Sequence, residues 1–558
     1  MNEQSPAAAE DVPAPSGRRI GGEFIRQAIL GEVTVPQGSP LRLDSRGARL
    51  TSAIIEGSLD LSAVSFDRPI VFEGCTFEAS INLTRAKLEG FTLIGCRAPA
   101  IEAYGAEISG DLRLDDTRLD NPGRYAFNGA AMRVGCSVLF INGFAASGAV
   151  SLANATIAGR VVCNGTFSNP IVFAPGERWY SPIRSALNGF GAKIGALAFN
   201  TPINPGTFCA EGPVVFTNAS IGTGVYVLGG SFTAGLRTTP STGAESISDL
   251  STRYMMLAGS ALHLHNVQMG ELVFTNIARF EGMLSLRAAS ATTVADDGTV
   301  WQVPGARHAR PGVAIDLDGF RYNSFTNSFA AVTDTSWRTR LEWLKTQVKD
   351  ELRSDVKVQP YTQCAEVLHN MGDVRGSRMI LFERERMRLR TPGIGIWERL
   401  SGHALGLFAG HGYKSYYALY WAIGVWLAGG AVFSVADRLG EMRPASELIV
   451  VEDSYQRTGH IPQDYEPLKP LLFSADTLLP IVDLNQKHFW LPRDAGERPP
   501  DAAAVFPRLP HSATRALNWL FGGWLPKFFY YFETVMGWLL VSIVIAGISG
   551  NLSRDREE

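Results

Sequence analysis

The feature that most constrains this chain is a self-similar pattern that runs from about Leu41 to Tyr322. Each unit reads apolar, any, apolar, two of any, small, any, apolar, and the next unit begins about eleven residues later. Its copies include Leu59/Leu61/Val64/Phe66, Ile70/Phe72/Cys75/Phe77, Ile81/Leu83/Ala86/Leu88, Leu112/Leu114/Thr117/Leu119, Tyr125/Phe127/Ala130/Met132, Val150/Leu152/Ala155/Ile157, Val214/Phe216/Ala219/Ile221, Leu262/Leu264/Val267/Met269 and Ile315/Leu317/Phe320/Tyr322. A short repeat that returns so often predicts a solenoid.

The alternation within each unit predicts short β-strands whose first two apolar residues point inward. Two units form one coil of four short faces, and coils stack at the interstrand spacing of about 4.8 Å. In that register Cys75 and Cys96 occupy the same inward position in successive coils. We expect both thiols to be inert core residues.

The small residue two positions before a bulky one resembles the pattern of pentapeptide-repeat proteins, although the link between faces is often six residues here instead of five. That resemblance implies an all-β right-handed quadrilateral β-helix over residues 41–325. A bactofilin-like β-helix is the nearest alternative. The pattern is interrupted at Asn169–Ser185, Gly235–Arg253 and Thr292–Pro311, which we expect to be loops suited to recognition.

Both ends of the repeat carry sequences of another kind. Residues 1–20 are rich in Ala and Pro and predict a disordered tail, and EFIRQAIL predicts a capping helix within residues 21–40. Residues 336–392 predict a helical connector, with one helix from Trp337, a second opened by Pro360 and stopped by Gly372, and a third in VRGSRMILFERERMRLR. The last two resemble a tetratricopeptide-type hairpin.

Two long uncharged segments, Tyr416–Ala436 and Thr534–Ser553, follow the connector. We expect transmembrane helices over residues 415–436 and 528–550, because the first segment alone would cover about 31 Å of hydrocarbon. An extracytoplasmic loop, 437–527, would carry an apolar segment at 468–491, and residues 551–558 would form a cytoplasmic tail. All six cysteines precede the first span.

Arginines are concentrated before the first span, which by the positive-inside rule places the N-terminus in the cytoplasm. Four of them, Arg384, Arg386, Arg388 and Arg390, also predict a lipid-facing basic patch that binds anionic headgroups. The net charge of −3 excludes a global electrostatic footprint for nucleic acid.

The order span, apolar segment, span resembles two-helix potassium-channel domains, with FSADTLLPIVDLNQ in the place of the pore helix and filter. The segment has Pro480 and no glycine, so it lacks a potassium filter. Asp476, Asp483 and Glu533 are candidate pore-mouth or membrane-boundary acids. The alternative is that both aspartates are capping or loop residues, with Glu533 at the headgroup level near Lys527.

The C-terminal third resembles a family of uncharacterised bacterial membrane proteins, through QPYTQCAEVLHNMGD, LLFSADTLLPIVDLNQ and YFETVMGWLLVSIVIAGISG. Some members are labelled membrane-associated oxidoreductases. Here GFGAKIG and GIGIWERLSG lack the acidic partner of a dinucleotide site, and we expect no cofactor and no catalytic residue. His263 and His265 alternate with inward leucines, which predicts a solvated pair and no metal site.

The preferred function is a membrane-tethered scaffold of the bacterial inner membrane, a multi-pass protein whose β-helix binds a protein partner. The alternative is a channel-like or signal-transmitting pore, which would require a homo-oligomer. A membrane-associated oxidoreductase comes third.

Overall fold

The computed structural model describes residues 18–33, 46–172, 185–201, 208–234, 236–237, 260–298, 314–347, 357–389, 395–410, 417–451, 461–493, 519–521 and 524–554. They form two compact units, one ending at Arg384 and the other beginning at Glu385.

The first unit is a solenoid-like stack, in which 27 strands of the described residues form one parallel sheet. In chain order, β1 to β29 are Arg18–Gly21, Ala48–Thr51, Ala53–Glu56, Leu59–Asp60, Ser65–Glu73, Thr76–Phe77, Ile81–Asn82, Lys87–Ile94, Arg97–Ala98, Ile101–Glu102, Glu107–Ile108, Leu112–Asp115, Arg118–Asn128, Arg133–Val134, Val138–Ser151, Thr156–Ser168, Ile171–Val172, Leu187–Asn188, Lys193–Phe199, Cys209–Glu211, Val214–Val215, Ser220–Thr233, Leu236–Arg237, Ser260–His263, Gln268–Glu281, Met283–Ser285, Ser290–Asp296, Ala314–Asp316 and Arg321–Phe325. Two of them, β17 and β23, pair with each other outside that sheet.

The first position of every second repeat unit forms one continuous buried column. Its members pair in parallel register and are at most 1% exposed: Leu59, Ile81, Ile101, Phe127, Val150, Leu187, Val214, Leu262, Leu284 and Ile315. The predicted inward direction of this position is confirmed. Each coil therefore buries its apolar residues against those of its neighbours.

The predicted register of one copy, Tyr125/Phe127/Ala130/Met132, is wrong by two residues. Phe127, not Tyr125, stands in the inward column, and the next inward position is Gly129. A Cβ at Gly129 would lie 2.6 Å from both Met132 Sδ and Phe127 Cε1, so these larger side chains fill the space. The repeat pattern predicts an apolar residue at this core position, but glycine occupies it.

The two stacked cysteines are buried neighbours, as the register predicted. A hydrogen bond between their thiols lowers the pKa of Cys75 to about 7 and raises the pKa of Cys96. The Cys96 thiol also lies 3.4 Å from the carbonyl oxygen of Phe72.

Long insertions account for the interruptions of the repeat. Ser65 pairs with Lys87, whereas Thr156 pairs with Lys193 and Ser220 pairs with Gln268. The extra residues include the interruptions at Asn169–Ser185 and Gly235–Arg253, most of which lie outside the described residues. The third predicted loop, Thr292–Pro311, begins later than predicted. Strand β27 extends to Asp296, because it pairs with the strands on either side.

The N-terminal edge of the sheet is covered by β1 and by helix α1, Gly22–Leu30. β1 pairs with β3, Arg18 with Ala53, so the predicted disordered tail is wrong for residues 18–20. The first coil offers these residues an unpaired strand edge, and pairing satisfies it. Arg26 of α1 donates a hydrogen bond to the Asp60 carbonyl oxygen.

The C-terminal edge is covered by α2, Trp337–Lys345, and α3, Gln359–Asn370, which are followed by α4, Val374–Arg388. The Gln359 side chain accepts the Gly319 N–H at 3.0 Å and donates to the Phe320 carbonyl at 3.2 Å. Gln363 donates to the Tyr322 carbonyl at 2.9 Å. Glutamine amides thus replace the strand that would continue the stack.

A fully buried ion pair between Arg340 and Asp296 connects α2 to the last coils. The Arg340 guanidinium contacts the two oxygens of Asp296 at 2.6 and 3.1 Å, and both side chains are 0% exposed. It also donates to the Asp334 carbonyl and lies 4.2 Å from the centre of the Phe325 ring. These contacts satisfy a charge that would otherwise be costly to bury.

The second unit is largely helical. Its elements are α5 Ile396–Ala409, α6 Tyr417–Arg438, β30 Met442–Pro444, α7 Glu447–Val451, α8 Pro470–Leu478, β31 Trp490–Pro492 and α9 Leu525–Arg554. An aromatic core that includes Phe433, Phe473 and Trp490 joins α6, α8 and β31. Helix α9 begins at Leu525, three residues before the predicted start of the second span. The antiparallel pair β30 and β31 was not predicted.

We expect Arg340→Met to lower the free energy of unfolding by about 3 to 5 kcal/mol, because it leaves Asp296 buried without its counter-charge. Urea titration of the purified full-length protein, followed by far-ultraviolet circular dichroism, measures this loss. Arg338→Met, a matched change at an exposed position of the same helix, should be nearly neutral. Equal effects of the two variants would contradict the role given to the ion pair.

Candidate functional site

An open groove of about 710 Å³ crosses successive coils on one side of the solenoid. Its lining comes from the same position of five neighbouring strands: residues 65–67, 87–89, 107–109, 133–135 and Thr156. The groove is therefore a direct product of the in-register stacking.

Glycines bring the backbones of neighbouring coils close together at the border of this groove. A Cβ at Gly110 would lie 2.6 Å from the Glu89 carbonyl oxygen, and one at Gly159 would lie 2.6 Å from that of Cys136. Real Cβ atoms are not found at such distances, so larger residues would push the coils apart here.

The groove carries charges of both signs. Glu107 lies between Lys87, at 3.4 Å, and Arg133, at 3.9 Å, and all three side chains are about half exposed or more. Ion pairs this exposed contribute little to stability. Their charged groups remain accessible to a partner of complementary charge.

The three candidate acids of the second unit have different environments. Asp476 is 1% exposed, and its carboxylate accepts the backbone N–H groups of Leu484 and Lys487, each at 2.8 Å. The Lys487 ammonium lies 3.5 Å away. Asp476 thus holds the loop that follows α8.

Asp483 is exposed and organises a local turn. It accepts the Asn485 N–H at 2.9 Å, and the His488 ring lies 3.1 Å away. The backbone N–H of Asn485 and the His488 ring lower the pKa of Asp483.

Glu533 is buried inside the helical unit and is 0% exposed, and its depth in a bilayer stays a prediction. Its Oε1 lies 2.6 Å from the Ser474 hydroxyl. Helices α6, α8 and α9 meet around it. The assignment of the three acids to a pore mouth stays a prediction.

The arginines of α4 have several partners. Arg388 contacts Glu385 at 3.1 Å and Glu398 at 3.5 Å. Arg384 donates to the Thr362 hydroxyl at 3.0 Å, and Arg386 is exposed. Arg390 lies outside the described residues. Binding of these residues to anionic lipid stays a prediction.

Helix α5 presents an exposed apolar face that was not predicted. Ile396, Trp397, Leu400 and Leu407 are 83%, 81%, 59% and 54% exposed. The helix contacts α6, because the Trp421 indole donates to the Leu407 carbonyl at 3.1 Å. Apolar residues at helical spacing within IWERLSGHALGLFA were the available signal.

The histidine pair is less exposed than predicted. The two rings are stacked, with centres 5.9 Å apart, but His263 is only 8% exposed. Burial lowers the pKa of His263 to about 4, with a smaller contribution from His265. The prediction of two solvated rings is therefore wrong for His263. Within the described ranges, no group of three or more His, Cys, Asp or Glu residues is arranged to hold a metal ion.

No family model, curated protein or solved structure significantly matches this chain.

We expect Asp476→Ala to release the loop after α8, because two backbone donors lose their acceptor at a cost of about 1 to 3 kcal/mol. Hydrogen–deuterium exchange of the full-length protein should be faster at Leu484 and Lys487. Asp483→Ala, at an exposed position of the same loop, is the matched control and should leave both amides protected. Unchanged protection in Asp476→Ala would contradict this role.

Proposed function

We propose that this chain is a membrane-tethered scaffold of a bacterial inner membrane, with a cytoplasmic right-handed quadrilateral β-helix that binds a protein partner along its groove. One observation carries the proposal: an open, charged groove lies on a parallel stack whose chain also contains two helices long and apolar enough to cross a membrane.

The groove suits a protein partner because its lining is already in place. Strand pairing fixes the backbone of every coil that contributes to it. A preorganised surface binds with a smaller loss of conformational entropy than one that must be ordered on binding. Alternating charges at Lys87, Glu107 and Arg133 would select a segment with the opposite sequence of charges.

The two long helices of the second unit support the tether. In the most apolar windows of Tyr417–Arg438 and Leu525–Ile545, only 28% and 22% of residues are buried. A helix in the core of a soluble protein would be mostly buried. Their exposed apolar side chains, such as Leu419, Ile423 and Val535, fit a lipid environment.

Helix α5 also has a composition that fits a lipid environment. Its exposed tryptophan and aliphatic residues continue, through the contact with Trp421, onto the exposed apolar side of α6. An amphipathic helix of this composition fits the headgroup region of a bilayer. The arginines before the first span favour the cytoplasmic side for it.

Photo-crosslinking in living cells tests the binding groove. We expect a photoreactive amino acid at Ser109, inside the groove, to give a discrete crosslinked product that Arg133→Glu abolishes through charge reversal. The matched control is Arg97, an exposed solenoid residue that does not line the groove. Identical products from both positions, or none from Ser109, would contradict a partner in the groove.

Cys136 offers a test of orientation that uses a native residue. It is exposed, whereas the other cysteines are buried or partly buried. We expect a membrane-impermeant maleimide to label it in lysed spheroplasts and not in intact ones, with Cys136→Ser as the control for labelling elsewhere. Labelling in intact spheroplasts would place the solenoid outside the cytoplasm.

A further inference from the structure

Three helices of the second unit share one buried polar contact. Glu533 of α9 points at Ser474 of α8, with 2.6 Å between Oε1 and Oγ, and the same Oγ lies 2.9 Å from the Trp426 carbonyl oxygen of α6. Gly429 of α6 makes room for the carboxyl group, since a Cβ there would overlap it. Trp426 and Glu533 each lie within a candidate membrane span, and Ser474 lies on α8, which contacts both.

The protons available to these three oxygen atoms decide the charge of the acid. A serine hydroxyl has one proton to donate, and a backbone carbonyl can only accept. If Ser474 donates to the Trp426 carbonyl, the short contact with Glu533 needs a second proton. The carboxyl group can supply it only in its neutral form.

An ionised Glu533 would lack compensation in the described part of the unit. Its contact with Ser474 is its one hydrogen bond there, and Oε2 has no hydrogen-bond partner. The charged groups on the helices packed against it include Asp437, Arg438, Asp476 and Lys527, and none of them pairs with Glu533. An unpaired carboxylate inside a membrane helix bundle is far costlier than a neutral acid with one unsatisfied oxygen.

We propose that Glu533 is a proton-binding site within the membrane-spanning helices, occupied at neutral pH, in which Oε1–H donates to Ser474 and Ser474 donates to the Trp426 carbonyl. The bound proton then links α6, α8 and α9 through two consecutive hydrogen bonds. Its release would leave one serine proton for two acceptors, the carboxylate and the Trp426 carbonyl, so one of the two hydrogen bonds would be lost. This site is independent of the groove on the solenoid.

Infrared difference spectroscopy of the full-length protein in lipid nanodiscs at neutral pH tests the site. Wild type minus Glu533→Gln should show the C=O stretching band of a protonated carboxyl group, displaced to lower frequency in deuterated water. Wild type minus Asp483→Asn is the matched control and should show carboxylate bands, because that acid is exposed. Carboxylate bands in the Glu533→Gln difference would overturn the proposal.

Ser474→Ala provides a second measurement that keeps Glu533 in place. Without the serine acceptor, the carboxyl C=O band should move to the higher frequency of a weakly hydrogen-bonded acid. A variant spectrum with no protonated-carboxyl change would refute the hydrogen bond from Glu533 to Ser474, even if Glu533→Gln failed to fold.

Discussion

The first unit depends on the parallel hydrogen-bond ladder between coils. No coil has enough internal pairing or core of its own, so each depends on the coil on either side. The buried column from Leu59 to Ile315 shows how far this dependence extends. At the two ends the ladder must stop, and it does so against β1 and α1 at one end and the glutamines of α3 at the other.

The same stacking links the fold to the proposed activity. Residues at equivalent positions of successive coils form the outer surface as regularly as they form the core, so a groove with alternating charges needs no loop to define it. The second unit has no such repeat. There, a few buried polar groups join separate elements: Asp476 accepts backbone N–H groups of the loop after α8, and Ser474 of α8 donates to a backbone carbonyl of α6.

The features that could be predicted from the sequence are those that depend on local composition or on a regular spacing of residues. Inward leucines, the stacked cysteines, the helix opened by Pro360 and the two apolar helices all follow from spacing and composition. Other features depend on contacts between distant residues. Gly129 breaks the template because Phe127 and Met132 fill its space, and β30 forms only through pairing with β31. The burial of Glu533 depends on Gly429 and Ser474, which are distant from it in sequence, so no local pattern could reveal it.

The uneven spacing in sequence between stacked strands shows how much variation in coil length this fold tolerates. Coils that differ greatly in length, as between Ser65 and Lys87 and between Ser220 and Gln268, keep the same parallel register. Additional residues can therefore be inserted between the paired strands without displacing the core. Such a stack can carry peripheral segments of very different length on one unchanged set of paired strands.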